Sequence, residues 1–139
     1  IRIRTLTVRE GTPLEEKIEA REFQLMDDDG VVREEKLLLE NLDVTSCLIS
    51  DHILNLLEEV EGSFSKDRER IIGIIDRYLG MPDEKRSNFR IGRRLGLYRF
   101  LQDMGDPARH SQVESVRKRL IAEGRDEREF LEQCCHRYV

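Results

Sequence analysis

The sequence predicts a mostly helical α+β chain with two short strands. Three observations carry this. Period-2 side-chain alternation is confined to residues 1–8 and 44–50. Elsewhere apolar residues recur at helical spacing between capping and breaking signals. The 139 residues are 38% charged and 38% hydrophobic, and no apolar run approaches the ~18–20 residues that a membrane-spanning helix needs.

In residues 1–8, Ile1, Ile3, Thr5 and Thr7 point one way, and Arg2, Arg4, Leu6 and Val8 the other. Arginines on a strand face fit a polar cavity or solvent, where Arg2 and Arg4 meet a carboxylate or phosphate bidentately or form ordinary salt bridges. Gly11 supplies a sharp turn. Thr12, Pro13 and Glu15 form a capping box with Pro at N1, predicting a helix over 13–25 with Leu14, Ile18 and Phe23 inward. Asp27, Asp28 and Asp29 lack the spaced ligands of a calcium loop. They read as the acidic start of a helix near 29–42, with Val31, Val32, Glu35, Leu38, Leu39 and Leu42 along a broad stripe.

The β-branched stretch 44–50 is the second expected strand, followed by Asp51 and His52, an apolar run over 53–60, and Gly62 as a stop. Ser65 caps a helix carrying Ile71, Ile72, Ile74, Ile75, Tyr78 and Leu79, ended by Gly80 and Pro82. A long helix over 83–104 follows, packing Phe89, Leu95, Tyr98, Leu101 and Met104; helices over 111–123 and 127–138 finish the chain. Two strands do not make a self-sufficient sheet. They are expected to be the last strands of a larger one, with residues 1–62 its C-terminal end and 63–139 a helical extension. A strand at residue one, without Met or a signal-peptide pattern, points to missing upstream sequence.

The stretch IRIRTLTVREGTPL resembles the sixth strand and following loop of the radical SAM barrel. ENLDVTSCLISDHILNLLEEVEG followed by SKDRERIIGIIDRYL is similar to the C-terminal part of that superfamily's uncharacterised Fe–S oxidoreductase-like group. Gly-Thr-Pro alone is a weak motif; the strand, the Ser-Asp-His-x-x-Asn and their spacing make it more specific, over roughly residues 1–80. The resemblance implies a partial (β/α) barrel whose parent reductively cleaves S-adenosylmethionine at a [4Fe–4S] cluster. The CxxxCxxC that ligates such a cluster is absent: Cys47 stands alone, and Cys134 and Cys135 are adjacent. The chain therefore reads as a C-terminal fragment, inactive alone and without a cofactor of its own, whose first partner is the upstream remainder of its barrel. By the same resemblance Arg4, Leu6, Val8 and Gly11 lie on the S-adenosylmethionine or substrate side. Asp51, His52 and Asn55 then end the second strand, where a barrel places functional groups. Asp51 would orient His52 for acid–base work or ligation; a capping Asp and a structural His are the plainer reading.

The alternative is a helical module that binds RNA or a protein. Residues 85–99 carry six cations and no acid, with Phe89 and Tyr98 interleaved, and Arg86, Arg90, Arg93 and Arg94 share one helical face. That face suits phosphates. It equally suits the acidic first half, since residues 1–62 hold sixteen acidic and seven basic residues and 63–139 hold thirteen and seventeen. Such pairing would lie within the molecule or across a homodimer, where Gly92 and Gly96 admit a close backbone. Cys134, Cys135 and His136 fit helix packing better than a metal site. Three cysteines exclude a disulfide scaffold, and with neither a nucleophile elbow nor HExxH, hydrolysis has no support. The expected setting is cytoplasmic, with no membrane partner.

Overall fold

The computed structural model describes residues 1–135. Six α-helices and a two-stranded antiparallel sheet are present: α1 (Pro13–Glu19), α2 (Asp28–Asn41), β1 (Cys47–Leu48), β2 (Gly62–Ser63), α3 (Phe64–Leu79), α4 (Asp83–Arg94), α5 (Pro107–Ala122) and α6 (Glu127–Cys135). The mostly helical α+β class is as the sequence predicts. The predicted continuation of the last helix to residue 138, and His136, lie outside the described residues. No helix among those described is long and apolar enough to cross a membrane.

The N-terminal segment forms less strand than its alternation predicts. Only residues 1–3 pair, in parallel with 47–49: Ile3 N donates to Ile49 O and Ile49 N to Ile1 O, both at 2.9 Å, and the N-terminal ammonium reaches Cys47 O at 2.8 Å. The chain between runs through α1 and α2, the crossover that a parallel pair requires. β1 pairs on to Gly62–Ser63, residues whose glycine and serine masked a strand in the sequence.

Helix ends follow local chemistry. Thr12 accepts from Glu15 N, while the Glu15 carboxylate reaches back to Gly11 N at 2.6 Å, so the predicted capping box forms one residue wider. α1 stops at Glu19, short of residue 25, because Arg21 turns left-handed (φ 60°); Arg21 N then donates to Ile18 O and Glu22 N to Lys17 O. No α1 residue is buried. Asp27 caps α2 through Gly30 N at 2.7 Å, confirming the acidic start. α4 ends at Arg94, not 104: Gly96 at φ 72° closes it, with Gly96 N on Arg93 O and Leu97 N on Gly92 O. α5 starts at Pro107, four residues early, because Asp106 accepts from Ala108 N and Arg109 N.

The helices stack by burying their 3.6-period stripes. α2 packs on α3, and α4 on both α5 and α6, burying Val32 and Leu39 of α2, Ile71, Ile74, Ile75 and Tyr78 of α3, Phe89 and Ile91 of α4, Val113 and Leu120 of α5 and Leu131 of α6. These residues form one apolar cluster with Leu48, Leu56, Leu57 and Val60. It crosses the expected division at residue 62, which therefore marks no gap in packing.

Glu35 is the exception on the α2 stripe, buried between Val32 and Leu39. Burial first, then the charges of Asp28 and Glu34, push its carboxyl up to about 7. Its native value lies above the unfolded one, so the unfolded chain ionises first as pH rises. The associated stability is complete below about pH 4.5 and is lost on rising through about pH 7. E35Q is expected to stabilise the fold by about 2–3 kcal/mol at pH 8 and by almost nothing at pH 4. Urea unfolding at the two pH values checks this; an equal effect at both would show that Glu35 does not titrate in that window.

Candidate functional site

The N-terminal segment is tied down beyond its three paired residues by a side chain. Asn55, 1% exposed, accepts from Thr5 N (3.0 Å) and Thr5 Oγ1 (3.2 Å), and donates to Ile3 O (3.0 Å) and Ser50 Oγ (3.1 Å). Its amide is fully occupied inside the protein. The expected catalytic role for Asn55 is therefore corrected: it is a clamp that aims residues 4–8. N55A strands several buried polar groups and is expected to cost about 2 kcal/mol. Hydrogen exchange of the Thr5 amide should rise more than that of the α3 core.

The Asp51–His52 pairing is not formed. Asp51 is half-exposed and lies 3.5 Å from Arg2, so Arg2 makes a surface salt bridge. His52 is partly buried, its Nδ1 3.4 Å from Leu54 N. No hydrogen bond joins the two side chains among the described residues.

Beyond the Asn55 clamp, residues 4–8 form one wall of a cavity of about 710 Å³. Arg4, Leu6 and Val8 line it, and so do Thr5 and Thr7 from the other side of the alternation; Gly11 lies outside, in the turn before α1. Ile18 and the α1–α2 connection supply a second wall through Phe23, Leu25 and Met26. Leu131 and Cys135 of α6 close another side. Ile18 and Phe23, expected inward, thus face this cavity and not the core. The volume lies within the ~300–1,000 Å³ of ordinary ligand pockets.

The four arginines expected to bind an external anion are committed within the chain. Arg86 donates to Asp29 at 2.8 Å and to the carbonyls of Leu79 and Met81, and pairs with Asp83. Arg90 bridges Asp29 (2.9 Å) and Glu127 (2.7 Å). Arg93 reaches Asn55 O at 2.8 Å and Glu58 at 3.5 Å. Arg94, 5% exposed, pairs with Asp28 and donates to Leu54 O at 2.8 Å. The face is turned inward, and the acidic residues it meets come largely from the first half of the chain. Opposed charge between the halves was legible; that it would be buried was not.

Asp29 is the centre of this network. It also accepts from the buried Tyr78 hydroxyl at 2.5 Å. Burial would raise its pKa, but the Tyr78 hydrogen bond and the charges of Arg90 and Arg86 outweigh that and hold it below the ordinary value. Burial, followed by the bond to Asp29, drives the Tyr78 hydroxyl strongly upward. Sequence reasoning took Asp28 and Asp29 only as a helix start. Their second role required knowing that α4 returns to the N-terminus of α2.

The chain's thiols do not fit a [4Fe–4S] cluster. Cys47 is exposed on β1, Cys134 is buried and Cys135 half-buried in α6. No group of three metal-ligating side chains comes together among the described residues. Gly92 is covered by the Tyr98 ring of its own chain, while Gly96, with open space around it, turns left-handed at the end of α4. Comparison of the chain with protein-family models, with curated proteins and with solved structures yields no match.

Proposed function

We propose that the chain is the C-terminal part of a radical SAM barrel protein, which initiates radical chemistry on S-adenosylmethionine at a [4Fe–4S] cluster held elsewhere in its sequence. One observation carries the reading. Residues 1–3 run parallel to 47–49 across a two-helix crossover, and the first strand continues from its C-terminal end into a cavity. Parallel strands with helical crossovers, and a site at the strand ends, are the barrel's arrangement. The motif resemblance over residues 1–80 supplies the chemistry. No step is assigned to this chain's own thiols, which do not gather. Its contribution is to wall the strand-end cavity with Arg4, Leu6 and Val8 and to hold that wall with Asn55.

The coding sequence upstream of Ile1 tests the reading. A CxxxCxxC roughly 150–200 residues earlier is expected, from the usual length of a single barrel. A stop codon or an unrelated domain there overturns it. The alternative, an RNA- or protein-binding module using residues 85–99, draws no support from guanidinium groups already paired internally.

A further inference from the structure

Residues 9–26 leave the wall that Asn55 holds, form α1, and return to the body of the protein at the Asp27 cap of α2. None of them is buried. Among the described residues one hydrogen bond, and no salt bridge, ties this segment to the rest of the chain: Arg128 of α6 donates to Leu25 O at 3.0 Å. The other hydrogen bonds of the segment are internal, Gly11 with Glu15, Thr12 with Arg9, and the turns of α1.

Such a segment has little to hold it closed. Isolated helices shorter than about 12–15 residues are marginal in water, and α1 has seven residues. It therefore depends on packing, and the packing is thin: Phe23 and Met26 stay 39% and 52% exposed. Lifting the segment would expose little further apolar surface. α3, by contrast, buries Phe64, Ile71, Ile74, Ile75 and Tyr78. Local opening is easiest where buried apolar contact is scarce and backbone hydrogen bonds face solvent.

The same segment is one side of the cavity. Ile18, Arg21, Phe23 and Leu25 line it from the segment, whereas Leu54, Leu131 and Cys135 line it from parts held by the core and by α6. Gly11, at φ 76° with open space around it, supplies a pivot at one end. Arg128 joins the two sides: it pairs with Glu132 on its own helix while its other nitrogen holds Leu25 O.

We propose that residues 9–26 form a strap that opens as a unit and gives access to the cavity, with Arg128 as its latch. The inference concerns the cavity on which the barrel reading draws, but it rests on how the strap is held and not on what the cavity binds, so the two fail separately. Amide hydrogen exchange of the 139-residue chain, read by NMR, tests it. Ala20 donates to Glu16 O, and Glu22 and Phe23 both donate to Lys17 O. These three amides should share one protection factor, at least about 100-fold below that of Ile75 in α3 and insensitive to low urea. R128M keeps the length of the side chain but cannot donate to Leu25 O. It should accelerate the three strap amides together about fivefold and leave Ile75 and Leu131 unchanged. Alkylation of the Cys135 thiol, separated from Cys134 by fragmentation mass spectrometry, reads access to the cavity and should accelerate in R128M by the same factor. Strap amides protected to within about 100-fold of Ile75, R128M exchange at the wild-type rate, or Cys135 alkylation that does not follow the faster exchange would each overturn the proposal.

Discussion

Replacing Asp29 with Ala is expected to destabilise the protein by about 3–5 kcal/mol, among the largest effects available to a single polar side chain here. Arg86 and Arg90 are 14% and 18% exposed, and both point a nitrogen at this carboxylate within 2.9 Å. Removing it leaves two largely desolvated cations and the Tyr78 hydroxyl without their shared acceptor. For a domain of this size the loss corresponds to roughly 10–15 °C in melting temperature. Y78F removes only one hydrogen-bonding group and should cost about 1 kcal/mol. If D29A also costs under about 1 kcal/mol, the network behaves as a surface ion pair and the assignment fails. The pH dependence has a definite sign. Asp29 titrates below its unfolded value, so its stabilisation is fully present above about pH 4 and disappears as pH falls through the native value. Acid unfolding of D29N should therefore lack the part of the wild-type transition that Asp29 carries.

The same network explains what the sequence could and could not disclose. Asp27, Asp28 and Asp29 were legible as a helix start because capping is local: Asp27 reaches only to Gly30. Pairing Asp29 with Arg90 spans 61 residues, and no periodicity encodes it. The cationic run at 85–99 was visible, but a stripe of arginines looks the same whether it faces water or carboxylates. Asn55 illustrates a related limit. Its position after Ser-Asp-His suggested chemistry, whereas its amide is used up by Ile3, Ser50 and Thr5. Arg4, Leu6 and Val8 reach the cavity, but so do Thr5 and Thr7, so alternation along the segment does not decide which side chains line it. The cavity they line needed one more thing: α1 had to end early at Arg21. Nothing in a non-glycine residue announces a left-handed backbone.

Gly92 to Ala is the second large expected effect, and it separates two accounts of the paired glycines in α4. A Cβ at position 92 would sit 2.0 Å from Cδ2 and 2.4 Å from Cε2 of Tyr98. Real carbon atoms do not approach so closely, so the Tyr98 ring must leave its place. That ring is 1% exposed and stacks on Phe89 with centroids 6.2 Å apart, and Phe89 in turn meets Tyr78 at 5.8 Å. Displacing it disturbs three aromatic residues at the heart of the core. G92A is expected to cost about 3 kcal/mol or more, despite alanine's better helix propensity. The double variant G92A/Y98A tests the cause. Truncating the ring removes the clash, so the pair should be clearly less destabilised than the two single losses added together. Simple additivity would mean that the ring is not the obstacle. If Gly92 instead served to pack a second copy of the chain, G92A would change the mass in solution and leave the monomer's unfolding midpoint alone. The ring of Tyr98 already fills the space a second backbone would need, so the expected change is in stability, at every protein concentration.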